Sequence, residues 1–309
     1  MSHAQRSELR AVVLPFIVFT AIWGSTWIVI REQLGTVPAQ WSVTYRFTIA
    51  AAAMALVALA KGHGLRIGSR GLIAAIFLGF TQFCLNFNAV YLAERHITSG
   101  VVATVFALLL IPSSLLGWAF LGQRPSARFA WASLVAVAGI VLLFVHEVQE
   151  HPADSGQIIA GIGLTLLGML GASIANVMQA RSEIRHLPLF ALLAWSMAAG
   201  AIIDALVAFL MTGPPVFDAR PSYWLGVAYL ALPASVLTFS LYYPVVRRIG
   251  PAKAAYSSVL VPIIAMGFST WIEGYRWTPL TIAGAVLALG GMVAALGRSR
   301  SSVAAPDAA

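Results

Sequence analysis

Ten apolar stretches, each about as long as a bilayer-crossing helix of 17–25 residues, run through this chain. They lie at roughly 11–31, 41–60, 71–92, 97–121, 128–146, 157–180, 188–211, 222–246, 252–272 and 278–297. Inside lipid every backbone N–H and C=O must find its partner within the protein, so apolar runs of this length take helical form. The composition leaves no soluble alternative. Only 10% of the 309 residues are charged and 60% are hydrophobic, whereas a soluble domain carries roughly 25% charged residues on its surface. The expected fold is an all-α membrane protein with ten transmembrane helices.

The runs come in two sets. Pro112, within Leu110-Ile111-Pro112-Ser113, and Pro262, within Leu260-Val261-Pro262-Ile263, each interrupt an apolar run, and they stand 150 residues apart. Eleven residues after each, the run ends at a polar residue, Gln123 and Glu273. Pro38 and Pro188 share the same offset, and each precedes a long run. The chain therefore reads as a first five-helix repeat (11–146), a connecting loop (147–156), a second five-helix repeat (157–297) and a polar tail (298–309). An odd number of helices per repeat makes the two halves cross in opposite senses. An inverted repeat of this kind is the pattern of secondary transporters, with the substrate held between the halves near the midplane.

Charge orients the chain. With the N-terminus cytoplasmic, the cytoplasmic segments hold 14 of the 19 Lys and Arg residues. The opposite side holds Arg31, Arg95, Arg220 and Arg276, and Arg46 lies within a span. This is the positive-inside pattern, with both termini cytoplasmic. The net charge of +8 is then topological, facing anionic lipid, and gives no reason to expect nucleic acid. The lone Cys84 sits in an apolar run as a small packing residue. The first apolar run outlasts a signal peptide and is expected to be retained.

Several local patterns carry a resemblance. They are Trp23-Gly24-Ser25-Thr26-Trp27 in the first span, Arg46-Phe47 in the second and Ala89-Val90-Tyr91 closing the third. Pro112, Gly122-Gln123-Arg124, Pro262 and Glu273 complete the set. With these the chain resembles the drug/metabolite transporter superfamily, in its ten-helix EamA-type branch, over about residues 11–297. One departure is Gln123, where the family usually has Gly-Glu. The resemblance implies a bacterial inner-membrane exporter of small metabolites, amino acids first among them and aromatic or apolar ones favoured. Other metabolites or drugs are the alternative within the family. It also implies a central cavity lined by the first, third, fourth, sixth, eighth and ninth spans.

Polar groups inside spans are the candidates for that cavity, because lipid cannot satisfy them. Gln82 and Asn86 share a helical face in the third span, followed by Asn88 and Tyr91. Ser173, Asn176 and Gln179 repeat at three-residue spacing in the sixth. The first span offers Trp23, Ser25, Thr26 and Trp27, with the two Trp rings able to form an aromatic wall. Tyr242 closes the eighth span, and Tyr256 and Ser257 open the ninth. The bland reading of each Asn, Gln or Ser is a hydrogen bond between helices, and of each Trp or Tyr a bulky core or interface residue. Pro112 and Pro262 remove helix hydrogen bonds and are candidate hinges. Asp204, the carboxylate deep in the seventh span, is the candidate for proton coupling. Arg46, about six residues from a span end, is within reach of snorkelling outward, and the bland reading of both charges is a bond to a neighbouring helix. Ala132 with Ala136, Gly284 with Ala288, and Gly290 with Ala294 favour close helix packing.

Nothing in the sequence points to an enzyme. His146-Glu147-Val148-Gln149-Glu150-His151 matches neither zinc-helix motif and reads as a solvated acidic connection. No phosphate-binding glycine loop is present. No cofactor or metal is expected. The partners implied are a small-molecule substrate and membrane lipid, and the sequence leaves the oligomeric state open.

Overall fold

Prolines mark where the helices begin. In this computed structural model, which describes residues 12–150, 152–254 and 257–296, Pro38 and Pro188 are the N-cap residues of the second and seventh long helices. Pro221 stands in the first turn of the eighth. There the missing N–H costs nothing, because no helical partner exists for it, and the fixed φ already suits a helix. Glycines with positive φ end others, such as Gly122 at φ 70° and Gly250 at φ 88°, a backbone conformation that carries no Cβ penalty in glycine.

The helices are α1 (Leu14–Glu32), α2 (Ala39–Ala60), α3 (Gly68–Ala93), α4 (Ser99–Leu121) and α5 (Ala127–Glu150). They continue with α6 (Ser155–Ala180), α7 (Leu189–Thr212), α8 (Pro221–Ile249), α9 (Ser257–Ile272) and α10 (Pro279–Leu296). Short helices at Ser182–Arg185 and Pro251–Ala254 fill two of the connections. No strand occurs among the described residues. Helices α1 to α8 are long and apolar enough to cross a membrane, while α9 and α10 are shorter apolar helices. At 16 residues, α9 is about 24 Å long, less than the roughly 30 Å hydrocarbon core. Among its described residues the expected span 252–272 contains this helix and most of the four-residue helix before it.

The expected loop 147–156 is mostly helical. α5 continues to Glu150 and α6 starts at Ser155, leaving a 3₁₀ turn at Pro152–Asp154 between them. Glu147, Val148, Gln149 and Glu150 all accept helical geometry, and the first residue that cannot continue the helix is Pro152. Nor is this segment simply solvated. His146 and Glu147 are buried, and His146 Nδ1 lies 3.3 Å from Thr278 Oγ1 at the start of α10. The reason is that α5 and α10 pack along their whole length.

That packing is built from small residues. A Cβ on Gly139 would lie 2.3 Å from the backbone N of Ala288, and one on Gly291 would lie 2.5 Å from the N of Ala136. Gly284 similarly meets the carbonyl of Gly139 at 2.8 Å. The close approach runs through Gly291; a Cβ on Gly290 would meet nothing within 4 Å, because that residue lies on the helix face turned away. The other extensive pair is α2 against α7. Between these two pairs, α1 packs on α9 and α8, α6 packs on α3 and α4, and α4 meets α9.

Three helices depart from α geometry in mid-course, two of them through a π-helical segment. α3 contains a π-helical segment at Gly79–Leu85, and α8 contains one at Leu232–Leu237. In α8 the cause is Pro233, which has no N–H to bond and whose ring obstructs the ladder. Ser235 Oγ then donates to the carbonyl of Leu230, five residues back, at 2.8 Å. In α3, Gly79 lets the backbones of α3 and α7 touch. A Cβ there would lie 2.6 Å from the Ser196 carbonyl. α4 breaks into a 3₁₀ turn at Ala107–Leu109, just before Pro112, whereas α9 stays helical through Pro262.

Candidate functional site

A cavity lies among seven helices, and aromatic rings form much of its wall. Trp23, Trp27 and Ile30 come from α1, Arg46 from α2, Gln82, Asn86, Phe87 and Val90 from α3, and Ala103, Phe106, Ala107 and Leu109 from α4. Ala172 and Asn176 come from α6, Phe239 and Tyr242 from α8, and Ser257, Ser258 and Val261 from α9. These are the six expected helices together with α2.

The aromatic wall is interlocked. Trp23 meets Tyr242 edge-on at 4.9 Å between ring centres and Phe239 at 5.6 Å. Its indole N–H donates to the carbonyl of Ala234 in the α8 π-segment at 3.2 Å. Trp27 packs on Phe106 at 5.5 Å, but its own indole N–H is buried without a hydrogen-bond partner. Offset and edge-to-face pairs at these distances add to the burial of the rings and leave a rigid surface for a flat apolar group.

The polar expectations divide into those that reach the cavity and those that do not. Trp23, Thr26, Trp27, Gln82, Asn86, Asn176, Tyr242 and Ser257 border it. Gln82 Oε1 accepts from the Tyr243 hydroxyl at 3.3 Å, and Asn86 Oδ1 is buried with no partner. Three others are engaged elsewhere. Ser25 bonds to the Tyr229 hydroxyl at 2.6 Å and to the Ile22 carbonyl. The Tyr91 hydroxyl donates to Gln33 Oε1 at 3.0 Å. Ser173 donates to the Met169 carbonyl and accepts from Ser113 Oγ at 3.3 Å. Tyr256 lies outside the described residues. Neither Pro112 nor Pro262 borders the cavity.

The two charges inside spans behave differently from one another. Asp204 is fully buried but does not border the cavity. Its Oδ1 accepts from Asn88 Nδ2 at 2.6 Å, where α7 meets α3. Arg46 is 1% exposed and lines the cavity, so it is not a snorkelling residue. The guanidinium lies over the ring of Phe87 at 4.3 Å and near that of Phe47 at 5.1 Å. Its Nε donates to Ser235 Oγ at 3.1 Å, and its Nη1 has no partner. The signal for Arg46 was present in the sequence as the sole cation inside a span. What the sequence lacked was the direction of its helix face.

Beyond one end of the bundle a charged cluster ties α1, α3, α4 and α9 together. Arg31 Nε lies 3.7 Å from Glu273, which accepts from Ser99 Oγ at 2.7 Å. Arg31 also donates to the carbonyl of Glu94. The Glu94 carboxyl itself is buried with neither oxygen bonded. Burial, and next the nearby Glu273, hold it well above the usual carboxylate range, against the opposing pull of Arg31. Among the described residues no group of three or more His, Cys, Asp or Glu side chains is placed to hold a metal.

A multi-helix membrane bundle enclosing an aromatic and polar cavity has the architecture of a membrane transport protein. The chain belongs to the EamA-like transporter family, which it matches over residues 10–145 and again over 159–297. Among relatives, it is 26% identical over 261 residues to the "Uncharacterized inner membrane transporter YedA" of Escherichia coli, covering 82% of this chain and 80% of that one. It is 23% identical to the "Probable amino-acid metabolite efflux pump" of Salmonella typhimurium, over 89% of this chain and 91% of that protein. It is 24% identical to the "Probable terminal-alkyne amino-acid exporter" of Streptantibioticus cattleyicolor, over 96% and 98% respectively. A solved crystal structure shares the fold, with a TM-score of 0.65 at 18% identity, covering 91% of this chain and 95% of that one.

Proposed function

We propose that this protein exports amino acids, aromatic and apolar ones preferred, across a bacterial inner membrane by alternating access of one central cavity. The observation that carries the reading is the cavity wall. Trp23, Trp27, Phe106, Phe239 and Tyr242 supply flat apolar surface, while Gln82, Asn86, Asn176 and Ser257 place polar groups on the same space. A substrate with an apolar side chain and a polar head suits such a wall, since mostly apolar pockets with a few fixed polar groups are how small ligands are oriented. The names of the amino-acid efflux relatives point the same way.

The proposed mechanism is built on an inverted repeat of five helices, residues 11–146 and 157–297, with α9 and α10 as the ninth and tenth crossings. Two features support it. The family matches the chain twice, in blocks that nearly coincide with these halves. The main helix pairs also map onto one another when each helix is exchanged for the one five places away. α2 pairs with α7 and α5 with α10, and α1 on α9 answers to α6 on α4. The π-segments of α3 and α8 are counterparts in the same sense. Such halves rock about a fixed midplane site. Pro112 and Pro262 are the proposed hinge positions, and the distribution of Lys and Arg assigns both termini to the cytoplasm. Asp204, bonded to Asn88 away from the cavity, we assign to the packing of α7 on α3.

Counterflow in proteoliposomes tests the function. Labelled phenylalanine is expected to accumulate against internal unlabelled phenylalanine, saturably, with competition from tryptophan, leucine and methionine. Absence of counterflow for every amino acid, in protein that melts cooperatively, overturns the amino-acid reading.

A further inference from the structure

A guanidinium without a counter-ion is the least expected group to find in an apolar cavity. Removing a charge from water is costly, and buried charges in proteins are paired. Arg46 has no such pair. Among the described residues no Asp or Glu borders the cavity, and none of the ion pairs includes Arg46. Its surroundings fix the group in place without neutralising it. Phe47 and Phe87 lie against the guanidinium plane, and Ser235 takes the Nε proton. The Tyr91 hydroxyl also lies against the guanidinium, and Nη1 is left unpartnered.

A second unpartnered atom of opposite character borders the same cavity. Asn86 Oδ1 is a buried acceptor with no donor. It is held where α3 leaves its π-segment, and a Cβ on Gly168 would lie 3.3 Å from it, so α6 crosses close behind. Buried polar atoms without partners are rare in native proteins, and each calls for an explanation. Here the two are complementary, a cationic donor and a neutral acceptor on residues that border one cavity.

We infer that Arg46 binds the carboxylate of the transported molecule and that Asn86 Oδ1 accepts from its ammonium group, so that the cavity selects α-amino carboxylates by their head group. A guanidinium fork matches a carboxylate with two parallel hydrogen bonds, a geometry Lys lacks. The inference rests on the proposed transport function for its setting, and it assigns the chemistry of the head group that the aromatic wall alone does not specify. The ligand supplies the missing counter-charge, and on its departure the aromatic faces and Ser235 keep the fork in place for the next one.

The test compares three ligands on the purified full-length protein, by thermal stabilisation and by competition in counterflow. They are phenylalanine, phenylalaninol (no carboxylate) and 3-phenylpropionate (no amine). In the wild type, phenylalaninol is expected to bind about ten- to hundredfold more weakly than phenylalanine, the range for losing hydrogen bonds to a charged group. Arg46→Met is expected to weaken phenylalanine and 3-phenylpropionate by a similar factor and to leave phenylalaninol unchanged. Arg46→Lys should recover part of the loss. Asn86→Ala should weaken phenylalanine and phenylalaninol and spare 3-phenylpropionate. Phenylalaninol binding as tightly as phenylalanine in the wild type overturns the assignment, as does an equal loss for all three ligands in Arg46→Met or stabilisation by no carboxylate in a wider panel of amino and organic acids. Amine-free carboxylates that bind and exchange as well as amino acids would leave Arg46 in its role and remove the amino-acid reading instead. If Arg46→Met does not fold, the wild-type ligand series with Arg46→Lys decides the question.

Discussion

Arg46 and Asp204 are both buried ionisable residues, and they lie on α2 and α7, two helices that pack extensively on one another across the repeat. They are nonetheless placed for opposite purposes. Asp204 turns away from the cavity and accepts a short hydrogen bond from Asn88. Arg46 turns into the cavity and leaves donors unpaired. Each keeps a neutral hydrogen-bond partner on another helix and one buried atom without any, Nη1 in Arg46 and Oδ2 in Asp204. What separates them is that Arg46 borders the cavity and Asp204 does not. In transporters an intramembrane ionisable residue is by default a functional hypothesis, and of these two only the arginine borders the cavity.

The comparison is most open to breakage at Arg46, where the expected effect is largest. Arg46→Met should lower affinity for carboxylate ligands by about ten- to hundredfold while leaving thermal stability equal or higher, because an apolar residue of similar length ends the desolvation of an unpaired charge. A fall in melting temperature as large as the fall in affinity would make Arg46 a structural residue like Asp204. The reverse split is expected at Asp204. Asp204→Ala removes the acceptor from Asn88 and should destabilise by about 1–3 kcal/mol, with the affinity of the remaining folded protein unchanged. The milder Asp204→Asn should retain any response of transport to an imposed pH gradient. Loss of that response in folded protein would return Asp204 to a coupling role.

A contrast between a bonded and an unbonded carboxyl lies beyond α3. Glu273 there is bonded to Ser99 and faces Arg31, while the Glu94 carboxyl has no bond. Its raised pKa means the native protein holds a proton that the unfolded chain has released. The stabilising contribution is then complete below the ordinary carboxylate pKa and is lost as pH rises through the folded value. The melting temperature of the wild type should accordingly fall as pH rises above the ordinary carboxylate range, and Glu94→Gln should flatten that part of the profile. An unchanged profile would mean that Glu94 is ionised and compensated in the folded protein.

Much of this was readable in the sequence because it depends on local chemistry. Apolar runs of bilayer length and prolines at helix starts need no neighbours to interpret. Trp23, Trp27, Gln82, Asn86 and Asn176 were also legible, as polar or aromatic groups too deep in a span to face lipid. What was not legible depends on rotation about helix axes. Ser25 and Thr26 are adjacent, yet one bonds to Tyr229 while the other borders the cavity. Face assignments by helical spacing also drift across the π-segments of α3 and α8, which carry more residues per turn than an α-helix. Pro233 signalled the second of these, and Gly79 gave only a weak sign of the first. Arg46 was misjudged for a related reason. Its distance to the span end permitted snorkelling, but Phe47 and Phe87 hold its head group inward.

The π-segment of α8 gives the smallest and most discriminating effect. Ser235 reaches Arg46 only because Pro233 opens the helix and lets the Ser235 hydroxyl bond back to Leu230. Ser235→Ala removes one hydrogen bond to the guanidinium but neither of its aromatic contacts. The expected loss in affinity for a carboxylate ligand is about two- to tenfold, the scale of one net hydrogen bond. The effect should depend on what Ser235 holds. In an Arg46→Met background the same substitution should change affinity by nothing measurable, so the double-mutant cycle should return a coupling equal to nearly the whole single-mutant effect. Additive losses would instead mean that Ser235 acts on the cavity independently, through the shape of α8, and would remove Ser235 as a contact that orients Arg46.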